Sequence, residues 1–258
     1  MNAARMAGYT LVEVSLFLAI SGLLFIIAIV GTGSVMRSIR FTDTGRSTHA
    51  YIQKQYDEIL NGVNPRDNQQ ICGSSGVEAV SGPGVTGSQP GASGCLLLGK
   101  LLRLEQGSDH IDSYYVVATR IPNLSVAPDA TLNDEELIRS VNPFVVKETR
   151  SEYTIPWGAA ISGSRRSDGT AANTYALLRS PRSSRLVSYN MNIQPADFTA
   201  TTFLAPVLTA AAAEKITNYC LQTVETPASR AVFTVGGQGQ NAIQVAFDVA
   251  NEGVCDGA

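Results

Sequence analysis

Glu13 is a lone carboxylate at the edge of a stretch that carries no charge from Val14 to Met36. Ionisable residues in apolar spans are expensive and usually mark a site with a partner. The chemistry open to Glu13 is therefore ion pairing, because opposite charges in low dielectric are favoured over either charge alone. A second chemistry belongs to Cys72, Cys95, Cys220 and Cys255, which all lie beyond the uncharged stretch. An even number of cysteines in that position suits an oxidising exterior. Four cysteines allow three connectivities, and nearness in sequence favours Cys72 with Cys95 and Cys220 with Cys255. Each bond stabilises by roughly 3 kcal/mol on the chain-entropy account. Four buried thiols are the alternative.

A third candidate is basic. Between residues 165 and 185 the charged side chains are Arg165, Arg166, Asp168, Arg179, Arg182 and Arg185. Screening within about 8 Å at physiological salt lets such a patch hold a polyanion against an acidic global charge. The plainer expectation is a solvated loop whose arginines pair with acidic neighbours. Other motifs are weaker. His110 between Asp109 and Asp112 reads as a solvated turn rather than a ligand cluster. Gly237, Gly239 and Ala242 match a loose dinucleotide spacing, but a strand follows, which makes a hairpin turn the better reading. Asp248, Glu252 and Asp256 lack calcium-loop spacing and read as surface. With two histidines, no His-Glu-x-x-His, no nucleophile elbow and no Cys-x-x-Cys, the sequence predicts no catalysis, no metal and no cofactor.

The elements that must position these groups follow from the hydrophobic pattern. The uncharged stretch, at about 23 residues, exceeds the roughly 20 that cross a bilayer core of about 30 Å. Ile52, Tyr56, Ile59 and Leu60, with Val63 beyond, continue a helical stripe, and Arg46, Lys54, Asp57 and Glu58 take polar positions. Gly62 fits a helix stop. A helix over residues 10–61 would be about 78 Å long. Residues 62–94 read as a loop rich in glycine, serine and proline. Strands are expected over residues 95–104 and 111–121, as a hairpin turning at Gln106 to Asp109. A short helix is expected from Thr131, as N-cap, to Ile138. Alternation at Val187, Tyr189, Met191 and Ile193, and at Ile243, Val245, Phe247 and Val249, predicts half-buried strands. The whole reads as α+β, with a long helix covering one face of a mainly antiparallel head.

Gly8-Tyr9-Thr10-Leu11-Val12-Glu13, leading into the apolar helix, resembles the amino terminus of a type IV prepilin or pseudopilin. The resemblance is specific over about residues 5–30 and carries no sequence match in the head. Tyr9 stands where the family more often has phenylalanine, and keeps the aromatic ring. The resemblance implies cleavage after Gly8 by a prepilin peptidase, methylation of the new Tyr9 amine, and pairing of Glu13 with the amine of a neighbouring subunit. Such a pair would fix axial register, since one stagger alone joins the two charges. Cleavage would remove Arg5, leaving 18 basic against 22 acidic residues. Family helices often carry a proline that lets them melt in the filament; here melting would rest on Gly22, Gly31 and Gly33.

An ordinary secretory signal is the competing view of the first thirty residues, but its apolar region is shorter, about 7 to 15 residues, and carries no acid. The expected organisation is pilin-like: leader 1–8, transmembrane and filament-core half-helix 9–36, head-packing half-helix 37–62, and extracytoplasmic head 63–258. The expected function is a structural subunit of a type IV pilus or similar surface filament, serving motility, adhesion or DNA uptake. The alternatives are a pseudopilin of a type II-like secretion or competence system, and a membrane-anchored or secreted extracytoplasmic enzyme or binding protein. Expected partners are the prepilin peptidase, other pilin subunits, the membrane assembly machinery, and a host surface or DNA. The precursor belongs in the cytoplasmic membrane and the assembled form on the cell surface.

Overall fold

The computed structural model describes residues 10–62, 70–73, 76–79, 95–193, 203–210, 212–213, 215–223, 230–236 and 243–247. Helix α1 runs Leu11–Leu60, 50 residues, with Thr10 as N-cap and Asn61 as C-cap. At 1.5 Å per residue it is about 75 Å long. Gly62 follows at φ 64°, the left-handed position that glycine fills without a Cβ penalty. Asn61 is thus the cap and Gly62 the residue that turns the chain away. The helix continues unbroken through Gly22, Gly31 and Gly33.

The head contains two antiparallel sheets. One is five-stranded, in the order β5-β4-β3-β7-β8, from β3 (Leu96–Arg103), β4 (His110–Ala118), β5 (Pro143–Thr154), β7 (Thr174–Arg179) and β8 (Leu186–Met191). The other is four-stranded, β11-β10-β9-β6, from β6 (Ala159–Arg166), β9 (Thr217–Thr223), β10 (Arg230–Val235) and β11 (Ile243–Phe247). The expected hairpin is present as β3 against β4, with a register shift between Leu97 and Gly99. Strands β10 and β11 pair antiparallel; Gly237, Gly239 and Ala242, expected in a hairpin turn, lie outside the described residues.

One core forms between α1 and both sheets. Phe41, Ile52, Tyr56 and Ile59 pack there with Leu102, Leu104, Ile111, Tyr175, Tyr219 and Phe233 among others. A second core lies on the opposite face of the five-stranded sheet, where Leu101, Val116, Ala176, Leu178 and Tyr189 meet Ile138, Leu204 and Leu208. The five-stranded sheet is therefore buried on both faces. This overturns the half-buried expectation for β8, since Ser188 and Asn190 are buried alongside Val187 and Tyr189. Asn190 is satisfied there by donating to the Lys215 carbonyl. For β11 the alternation stands, with Ile243 buried and Gln244 exposed.

Two further expectations change. The stretch 62–94 includes a short hairpin, β1 (Gln70–Gly73) with β2 (Gly76–Ala79), so part of it is ladder rather than loop. Its strand β1 carries Cys72, bonded to Cys95 at a Cα separation of 5.2 Å. The short helix α2 spans Asp134–Ser140 and is capped by Asn133, not Thr131. Asn133 wins because Glu136, three residues on, reaches back to its amide and completes a capping box. Thr131 instead ends a 3₁₀ turn, donating its hydroxyl to the Pro128 carbonyl at 2.8 Å. Strand β4 ends at Ala118, short of Ile121; the Thr119 and Arg120 amides still donate to the Asn142 and Val141 carbonyls, and the Arg120 side chain turns to Asp129.

Candidate functional site

The first half of α1 stands clear of the head. Among the described residues, every side chain from position 11 to 40 is exposed, including Phe17, Leu24, Phe25, Ile27 and Ile39. This half holds a window of mean hydropathy 2.7 and is long and apolar enough to cross a membrane. From Phe41 the surroundings invert. Phe41, Thr44, Gly45, Thr48, Ile52, Gln55, Tyr56 and Ile59 are all buried, at spacings of three and four. The predicted stripe at Ile52, Tyr56 and Ile59 is thereby extended by about three turns, while Leu60 is exposed. Val63 lies outside the described residues.

Glu13 has a partner within its own helix. Its carboxylate accepts from the Thr10 amide and the Thr10 hydroxyl, each at 2.9 Å, and the Glu13 amide donates back to that hydroxyl. This is a capping box, which satisfies amide groups that the first turn of a helix leaves unpaired. The Thr-x-x-Glu spacing that announces it is visible in the sequence. Gly8 and Tyr9 lie outside the described residues.

Two contacts lock α1 to the head, and neither was predicted. Lys100, in β3, is almost fully buried and its ammonium donates to Gln55 and Glu58 of α1. It also lies 4.6 Å from the centre of the Tyr115 ring, within cation–π range. Burial, reinforced by the Glu58 charge, pushes the Tyr115 hydroxyl up to about 12. A lone lysine in the apolar run Leu96 to Leu102 was the available signal: a charge there needs a buried acceptor. Nearer the exposed half, the turn Pro156–Gly158 grips the helix. Trp157 donates its indole N–H to Asp43 at 3.0 Å, Arg40 lies 4.9 Å from the ring centre, and Thr44 donates to the Pro156 carbonyl. Gly45 lies directly under Phe247 of β11, so that a Cβ at position 45 would sit 2.3 Å from the ring.

The arginines do not form one patch. Arg165 and Arg166 close β6 in the four-stranded sheet, and Arg166 pairs with Asp168 at 2.6 Å. Arg179 ends β7 in the other sheet, beside Gly62. The five steps of β7 from Thr174 to Arg179 carry the chain about 17 Å from the β6 end of their connection. Arg182 is exposed but committed, donating to the carbonyls of Leu132 and Asp129. Arg185 is also exposed. The neighbouring loop is closed by Arg120, which binds both oxygens of Asp129 at 2.7 Å. That guanidinium, with the Asn123 amide, holds the Asp129 carboxyl down at about 2.

His110, Asp112 and Glu152 bring ligand atoms within 4.8 Å of one another. Asp112 is buried, unlike the solvated turn expected of it, and Arg150 donates to both carboxylates at 2.9 and 2.7 Å. A guanidinium thus already supplies the positive charge that these two carboxylates pair with. His110 meets Asp109 at 3.1 Å. Asp248, Glu252, Asp256 and Val249 lie outside the described residues.

The Cys72–Cys95 bond is present as expected, and Cys220 is disulfide-bonded. Cys255, the remaining cysteine of the sequence, lies outside the described residues. Comparison with protein-family models, with curated proteins and with solved structures yields no match for this chain.

Proposed function

We propose that the chain is a pilin-like structural subunit, polymerising into a type IV pilus or a related surface filament, with no reaction catalysed. The observation that carries the reading is the division of α1, bare and apolar over its first half and packed into the head over its second. A bare apolar helix in water is a liability, whereas in a bilayer or a bundle of like helices it is covered. The Gly8-Tyr9 junction immediately before this helix supports removal of the leader by a prepilin peptidase and methylation of Tyr9. The partners proposed are that peptidase, other subunits and the membrane assembly machinery. Contact with a host surface or DNA would fall to the turn carrying Arg179, Arg182 and Arg185, beside the end of α1 remote from the membrane-spanning half.

Terminal mass spectrometry of the protein expressed in a piliated host tests the reading. A mature chain beginning at N-methylated Tyr9, with precursor accumulating in Gly8→Ala, supports it. A start at Ser34, as from an ordinary signal peptide, overturns it. Filaments visible by electron microscopy and containing the chain separate a pilin from a pseudopilin.

A second reading, a simple membrane anchor for an extracytoplasmic protein, is favoured by the capping box, since Glu13 is satisfied without a neighbour. Glu13→Gln discriminates. A subunit that needs the carboxylate for the neighbouring amine is inserted and cleaved but left out of filaments, whereas a simple anchor behaves as wild type.

A further inference from the structure

We propose that the Pro156–Gly158 turn is a bilayer-surface contact, seating Trp157 among the phospholipid headgroups beside Arg40 while α1 is anchored. The proposal rests on the reading of α1 as a membrane span and adds a second, shallower attachment made by the head itself.

Depth is the first argument. The uncharged stretch ends at Met36, and the next charges are Arg37 and Arg40. At 1.5 Å per residue, Arg40 lies about 6 Å and Asp43 about 10 Å beyond Met36 along the helix. The headgroup zone adds about 5 to 7 Å on each side of the hydrocarbon. Trp157 bridges these two positions, with its ring 4.9 Å from the Arg40 guanidinium and its N–H on Asp43. The indole is thereby held at the outer boundary of the lipid.

Exposure is the second. Trp157 leaves 52% of its surface accessible, although neighbouring Ile155 and Ala159 are buried. Its backbone takes φ 60°, left-handed for a bulky residue, and Gly158 takes φ 64°. The turn is pinned by the Thr44 hydroxyl on the Pro156 carbonyl at 3.2 Å. The fold thus holds an aromatic side chain outward at the one level where the helix leaves the membrane.

Chemistry is the third. An indole has an apolar body and a polar N–H, which suits the interface and enriches tryptophan there. The guanidinium forks of Arg37 and Arg40 match phosphate geometry. A headgroup phosphate on these arginines and an indole lying among the headgroups would fix how far the head stands from the membrane.

Trp157 is the only tryptophan in the chain, so its fluorescence reports this position alone. The full chain is reconstituted into vesicles of phosphatidylethanolamine and phosphatidylglycerol carrying bromine either near the carbonyl end or near the methyl end of the acyl chains. Carbonate extraction is run in parallel. Expected is an extraction-resistant protein whose emission is quenched strongly by the shallow bromines and weakly by the deep ones. Resistance to extraction with no quenching by either lipid overturns the headgroup contact and leaves the anchor standing. Stronger quenching by the deep bromines also overturns it, placing the residue inside the hydrocarbon. Release by carbonate overturns the anchor and the contact together.

Discussion

Over its first thirty residues α1 turns its apolar side chains outward, and over its last twenty it buries them against β3, β7 and β11 on one side. The backbone is the same in both halves; what differs is which solvent the side chains are suited to. In the first half apolar residues surround the whole helix, as a lipid-facing segment requires. In the second they narrow to a stripe about three turns longer than Ile52, Tyr56 and Ile59 imply, begun by Phe41 and completed by Thr44, Gly45, Thr48 and Gln55. A helix can thus change its environment within one turn, here between Arg40 and Phe41, without changing its fold.

The largest expected effect that tests this contrast comes from truncating one apolar side chain in each half. Ile52→Ala should destabilise the head by about 2 to 5 kcal/mol, because Ile52 is 1% exposed and leaves a cavity. Leu24→Ala should leave head stability unchanged in detergent, since Leu24 is exposed and lies clear of the head. Thermal unfolding followed by near-ultraviolet circular dichroism measures both. Equal losses would mean that the two halves are packed alike.

A smaller effect is expected where the helix is locked ionically. Lys100→Ala should cost about 1 to 3 kcal/mol, leaving Glu58 and Gln55 without their donor. Urea unfolding of Lys100→Ala, Glu58→Ala and the double variant would show non-additive losses. Additive losses would mean that the contact contributes nothing to docking.

The smallest effect should differ in sign between the halves. Among the described residues nothing lies within 4 Å of a Cβ built at Gly33, whereas Gly45 meets Phe247 at 2.3 Å. Gly33→Ala should therefore stabilise the helix by roughly 1 kcal/mol, as alanine does relative to glycine. Gly45→Ala should lose about 1 kcal/mol net, since overpacking exceeds that gain. Hydrogen exchange of α1 amides reads the two separately. Stabilisation by both would show that the Phe247 ring swings aside freely.

Much of the head was legible for local reasons. The β3–β4 hairpin follows from two strand-like runs around Gly107, and β11 from its alternation, because pairing of adjacent segments needs little long-range information. The alternation in β8 was legible as a strand but not its burial: residues 204–213 cover Val187 and Tyr189, while Ser188 and Asn190 face the other core, where Asn190 meets Lys215 and Tyr219, and neither layer shows in the β8 pattern. The cap of α2 was misplaced by two residues, because Thr131 and Asn133 are both good caps and only Asn133 has a glutamate three residues later. The Thr10 to Glu13 spacing is local and carries its own geometry, whereas the arginines at 165–166 and 179–185 share a stretch of sequence and are parted by the length of β7.

The sequence by itself determined that a long helix begins at Thr10, that its first half suits lipid and that Gly62 ends it. Each of these depends on composition, on helical period or on the chemistry of a few adjacent residues. Only the tertiary structure decided that Lys100 would be matched by Gln55 and Glu58, that Phe247 would cover Gly45, and that Trp157 would reach back over 114 residues to Asp43. Contacts of that kind depend on how two sheets and a helix are stacked. Stacking is set by the summed burial of many side chains rather than by any pattern within one segment.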